Sequence, residues 1–173
     1  MSSILKVDQI QLSNGNTPTA GDLGLNTTGN VLQTVWNNND TMVSVTSNSS
    51  HVSSGLSATI TPTSTSSKIL MIVHQQARLF TSNSDNGYGI RFKRGSTVIY
   101  TPSATNYHIY NYENGGYFDM RGMNSFSYLD SPASTSALTY STELRMYGTA
   151  GSPSLRMQDN GNQSNIILME IAG

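Results

Sequence analysis

Clusters of turn-forming residues recur about every ten residues through most of this chain, and the stretches between them have strand length and strand period. Leu56, Ala58 and Ile60 alternate with Ser57, Thr59 and Thr61 until Pro62, which cannot donate to a ladder, ends the run. Tyr88, Ile90 and Phe92 alternate with Gly89, Arg91 and Lys93, and Thr97–Tyr100 follows across Gly95-Ser96, so 88–100 reads as a hairpin. Leu138, Tyr140, Leu144 and Met146 share one parity of a longer strand. Lys68–His74 is a continuous apolar run, which suits a strand buried on both faces. Asp159-Asn160-Gly161-Asn162 reads as a hairpin turn. No stretch has the period of an amphipathic helix. The expected fold is therefore all-β, an antiparallel β-sandwich of jelly-roll type. Its expected core holds Ile69, Ile72, Ile90, Phe92, Leu138, Tyr140, Leu144, Leu168 and Ile171.

The first part of the chain obeys a different grammar. Residues 1–34 are poor in apolar groups and broken by turn signals at Ser13–Asn16 and Thr28–Asn30. Ile4, Leu5, Val7 and Ile10 keep neither a period of two nor one of 3.6, and they are too few to build a core. The division expected is an extended amino-terminal arm over 1–34, pinned through those four residues against a partner, and a sandwich over 35–173.

Charge narrows the function. Only 11% of the residues are charged, the net charge is −1, and Ser, Thr, Asn, Gln and Gly take the place of the missing charge. That balance offers no footprint for nucleic acid or an anionic membrane surface, and neither partner is expected. No apolar run approaches the ~20 residues of a membrane helix, so no membrane insertion is expected. With no cysteine, disulfides and thiolate chemistry are excluded. The opening residues lack a signal-like apolar run, which fits assembly in a host cytoplasm.

Nothing in the residues assembles into a reaction centre. The ten carboxylates lie mostly in or beside turns, where Asp is favoured for local hydrogen bonding. A polysaccharide-degrading pair facing one another from distant strands remains the enzymatic alternative. No serine sits in a nucleophile elbow, and His51, His74 and His108 lack metal-ligand spacing. The turns at 83–87 and 158–162 each hold one carboxylate, too few for a calcium cage. The expectation is a protein without catalytic residues, metal or cofactor.

The most unusual segment is Tyr107–Phe118, which sets Tyr107, Tyr110, Tyr112 and Tyr117 among Asn, Glu and Gly. Tyrosine joins a rigid apolar face to a polar tip, and this suits contact with a host glycan or protein. The competing reading is a cross-strand tyrosine ladder that serves stability alone.

Several motifs carry a family resemblance. Ser2–Gln11, Ser67–Val73, Leu129-Asp130-Ser131-Pro132-Ala133 and the closing Ile167–Gly173 resemble, in that order, structural proteins of tailed bacteriophages, especially those of aquatic bacteria and cyanobacteria. The resemblance implies a homotrimeric β-rich module on the virion surface, with the amino-terminal stretch attached to a tail adaptor or capsid protein and the carboxy-terminal domain facing outward. The function expected is a short tail fibre or receptor-binding subunit. Because no shaft fits within this length, a capsid decoration protein is the alternative.

Overall fold

The computed structural model describes residues 10–19, 21–24, 28–45, 50–82, 85–102, 107–112, 116–148 and 151–173. Among these residues the chain forms β1 (Val31–Asn39), β2 (Val43–Val45), β3 (Val52–Ile60), β4 (Lys68–Thr81), β5 (Asn86–Arg94), β6 (Thr97–Tyr100), β7 (Ile109–Asn111), β8 (Phe118–Asp130), β9 (Leu138–Tyr147), β10 (Ser154–Met157) and β11 (Ser164–Ile171). All of the pairings are antiparallel.

Register shows that several short strands are pieces of one row. One edge of β4 is paired along almost its whole length with β8, from Ile69 opposite Asp130 to Thr81 opposite Phe118. Both β11 and β10 therefore share the other edge, at Lys68–His74 and Ala77–Phe80 respectively. Beyond them β1 pairs with β11 and β2 with β10. The first sheet thus runs β8, β4, β10/β11, β2/β1. In the second sheet, β5 has β9 on one edge and shares the other between β7 and β6, so the rows run β3, β9, β5, β7/β6. Numbered along the chain, the rows stand 6-3-8-1 and 2-7-4-5. That alternation between sheets is the jelly roll expected.

The inner faces follow the predicted parity. Leu56, Ala58 and Ile60 of β3, Tyr88, Ile90 and Phe92 of β5, and Tyr140, Leu144 and Met146 of β9 meet Ile69, Met71, Val73 and Leu79 of β4 with Ile166 and Leu168 of β11. The 88–100 hairpin forms, with Gly95 at φ +56° in its turn.

Other expectations are corrected. Ile72 and Ile171 lie half-buried on the outer face of the first sheet, because a period of two cannot place Ile69 and Ile72 on one side. Leu138 is only partly buried at the margin of the core. The 69–73 run is fully buried on its inner face alone, while Leu70 and Ile72 stay half-exposed. Asp159–Gly161 is not a hairpin turn; it is an excursion that interrupts the β10/β11 row and leaves both pieces paired to β4. The expected boundary at residue 34 falls inside β1, which starts at Val31.

The interrupted rows leave backbone groups that need other partners. Opposite the β10/β11 break, the Gln76 N–H donates to Ser164 Oγ at 2.9 Å, and Gln76 Oε1 accepts from the Asp159 N–H at 2.8 Å. Between β7 and β6, the Ile90 N–H donates to His108 Nδ1 at 2.8 Å. The amino-terminal segment is mostly exposed over 10–19 and 21–24, with the turn at 13–15 closed by the Gly15 N–H to the Leu12 carbonyl at 2.9 Å. It joins the sandwich where Gly29 and Asn30 exchange backbone hydrogen bonds with Ala172.

Candidate interaction faces

Each sheet presents an outer face, and the two differ in chemistry. On the second sheet, Gly87 of β5 lies between Tyr110 of β7 and Tyr147 of β9. A Cβ at Gly87 would sit 2.4 Å from the Ile109 carbonyl oxygen and 2.6 Å from Tyr110 Cδ2, so this position must lack a side chain. Tyr107 packs on both neighbours, its ring centroid 4.7 Å from that of Tyr110 and 4.8 Å from that of Tyr147. Tyr112 extends the cluster at 5.1 Å from Tyr110 and is 80% exposed. Arg145 lies over the Tyr147 ring at 4.8 Å, a cation–π contact. The result is a continuous aromatic platform with polar tips.

An ionic strip continues along the same face. Glu143 accepts from Arg91 at 2.7 Å and from Lys93 at 2.9 Å. Burial raises the Glu143 carboxyl, but the hydrogen bonds from Lys93 and Arg91 outweigh it and hold the group below the usual carboxylate range. Beside them, His51 is pushed down to about 4, first by burial and then by Arg91 and Arg145, with Glu143 opposing. An unfolded chain takes up a proton at His51 as pH falls through its ordinary 6.5, whereas the folded protein resists until about 4. This contribution to stability is therefore complete above pH 6.5 and is lost as pH falls towards 4. Urea midpoints at pH 7 and pH 5 should fall less for His51→Gln than for the parent. The difference will be modest, since the ring is only half-buried and water screens it.

Tyr117 does not join this platform. It lies just before β8 and packs edge-on against Phe80 of β4 at 4.9 Å, on the outer face of the first sheet. The aromatic segment thus serves both faces of the sandwich; residues 113–115 lie outside the described residues. Of the expected arm contacts, Ile10 is 53% exposed, and Ile4, Leu5 and Val7 lie outside the described residues.

The outer face of the first sheet has two ends. At one end the register places Leu129, Leu70, Met169 and Thr34 in one cross-strand line and Ser127, Ile72, Ile167 and Trp36 in the next. Trp36 is 65% exposed and Leu129 48%. At the other end, Arg121 of β8, Arg78 of β4 and Arg156 of β10 stand directly opposite one another. Asp119 binds Arg78 with both oxygens at 2.6 Å, and buried Asp159 lies 3.2 Å from Arg78 and 3.5 Å from Arg156. The sequence reading missed both ends. Each arginine is isolated in sequence, and only strand register brings the three together.

No protein-family model matches the chain, and no curated protein matches it in sequence. Among solved structures it is similar to the protein of infectious bursal virus derived T=1 particles, with 14% identity and a TM-score of 0.41, over 83% of this chain and 37% of that one. The VP2 subviral particle of infectious bursal disease virus gives 14% identity and a TM-score of 0.37, over 82% and 38%. The Gx strain of that virus gives 15% and 0.37, over 83% and 39%. The chain spans well under half the length of these proteins. Likenesses this distant leave function to be argued from the residues.

Proposed function

We propose that the chain is a structural subunit of a bacteriophage particle, a homotrimeric short tail fibre or receptor-binding module whose two outer faces divide assembly from adhesion. The observation that carries this reading is the apolar end of the first sheet, where Trp36, Ile72, Ile167, Leu70, Met169 and Leu129 form a contiguous patch with half-exposed side chains. Contiguous exposed apolar surface rimmed by polar groups marks an interaction site. Neighbouring copies cover it, and the amino-terminal segment with Ile4, Leu5, Val7 and Ile10 attaches to a tail adaptor or capsid protein. The opposite face carries the tyrosine platform, which meets a host glycan or protein. Several weak contacts then act together, because linked copies raise effective concentration.

Sedimentation of the purified chain tests the assembly half of the proposal. The parent should be a trimer at micromolar concentration. Trp36→Ser should raise its dissociation constant about thirtyfold or more, the usual cost of truncating a buried tryptophan anchor. A parent that stays monomeric would sink the reading. Capsid decoration is the second reading, in which the same apolar end would clamp neighbouring capsid subunits. Copy number on purified particles separates the two, since a cement protein occupies many sites on the head and a fibre only a few on the tail.

A further inference from the structure

We infer that the arginine end of the first sheet is a binding pocket for a carboxylate-bearing sugar, separate from the tyrosine platform and independent of the assembly reading. The pocket has a volume of about 220 Å³ and is lined by Arg78, Phe80, Ser154 and Arg156. That size accepts a single sugar unit and falls short of the ~300 Å³ at which drug-sized sites begin. It is also about 20 Å along β4 from Ile72, six residues at strand rise, so it stays clear of the apolar end.

The charge distribution points to an anion. Three guanidinium groups, Arg78, Arg121 and Arg156, face two carboxylates, Asp119 and Asp159, which leaves one positive charge in excess. Like charges directly opposite on neighbouring strands oppose pairing, so this row is not what strand stability alone would select. Arg78 is fully engaged: Asp119 grips it bidentately and Asp159 backs it. Arg156 is not. Its sole ion-pair contact among the described residues is Asp159 at 3.5 Å, and its side chain is 42% exposed. Arg121 is similar, 3.9 Å from each carboxylate and 47% exposed. Arg156 therefore brings unused donors in a planar fork to the rim of the pocket, the geometry that binds a carboxylate with two parallel hydrogen bonds.

The remaining lining selects among anions. The Phe80 ring, braced by Tyr117 and by Arg78 at 5.7 Å, supplies an apolar surface for the C–H face of a sugar ring. Ser154 offers a hydroxyl for a sugar hydroxyl. A bare phosphate would leave the aromatic surface unused. An extended nucleic acid would need a basic track, which a chain of net charge −1 with one local excess cation does not provide.

The test is an NMR titration of the whole chain with D-glucuronate, D-glucose, inorganic phosphate and a single-stranded DNA oligonucleotide. Saturable shifts at the Phe80 ring and the Arg156 side chain are expected with glucuronate, and much smaller ones with glucose. Arg156→Gln should weaken glucuronate about tenfold or more, the loss of a charge-assisted pair, while still unfolding in one cooperative transition. Should that variant fail to fold, Arg156→Lys keeps the charge without the fork and should still bind less tightly than the parent. Equal binding of glucose, phosphate as tight as glucuronate, tighter DNA, or indifference to both substitutions would each overturn the assignment.

Discussion

Gln75→Ala is expected to destabilise the sandwich by about 3–4 kcal/mol, because it empties the centre of a buried polar chain that joins the two sheets. Gln75 sits on the inner face of β4 and is fully buried. Its Oε1 accepts from Thr142 Oγ1 of β9 at 2.8 Å, and its Nε2 donates to Ser164 Oγ of β11 at 2.9 Å. Ser54 Oγ lies 2.5 Å from Thr142 Oγ1. Since Thr142 gives its proton to Gln75, the Ser54 hydroxyl must be the donor in that pair. Ser54 Oγ in turn accepts from the Leu56 N–H at 3.0 Å. The whole chain therefore has one hydrogen-bond direction, set by the amide of Gln75. Alanine leaves the Thr142 proton without its acceptor in the core, and it leaves a cavity, while Ser164 Oγ keeps the Gln76 N–H and Gln158 Nε2 as donors. Gln75→Leu fills the space and still strands the Thr142 proton, so it should recover only part of the loss. Urea denaturation of the three proteins checks both statements. A loss under about 1 kcal/mol for alanine would show that the network is dispensable.

The second large effect concerns the ground under the tyrosine platform. Gly148 follows β9 at φ +84°, and a Cβ there would lie 2.0 Å from the Asp85 carbonyl oxygen and 2.6 Å from Asn86 Oδ1. The obstacle is backbone, so it cannot swing aside. Gly148→Ala is expected to cost about 3 kcal/mol or more, from strain at positive φ plus forced separation of the chain ends at β9 and β5. Gly95→Ala is the matched control. It also has positive φ, +56°, yet a Cβ there meets nothing within 4 Å. Its cost should stay near the ~1 kcal/mol of the left-handed conformation alone. Because Tyr147 precedes Gly148 and packs on Tyr107, the first variant should also change the near-ultraviolet circular dichroism of the tyrosines, and the second should not. Equal destabilisation by the two would show that the close approach to Asp85 has no energetic weight.

Several features are legible in the sequence alone. Period-two alternation in 56–60, 88–92 and 138–146 identified inner-facing residues, because side chains on a strand point alternately to opposite faces whatever the strand pairs with. Ile72 and Ile171 were misassigned for the opposite reason. A continuous apolar run carries no alternation, so its inner face cannot be told from its outer one until a partner sheet covers one side. The 158–162 segment reads as a hairpin turn in sequence and is an excursion within one row in the fold, since local turn chemistry says nothing about which row the chain rejoins. The tyrosine segment was found by composition, but its division between two faces was not.

What the amino-acid order alone determined is the local grammar: strands, turns, inward parity, the shortage of charge and the scarcity of apolar residues over 1–34, all read from neighbours within about ten residues. Only the tertiary structure decided what stands beside what. The row of Arg121, Arg78 and Arg156, the platform of Tyr107, Tyr110 and Tyr147, and the Ser54–Thr142–Gln75–Ser164 chain each join residues dozens of positions apart. Strand order and register create those contacts. They follow from the burial of both inner faces at once, which no single segment encodes.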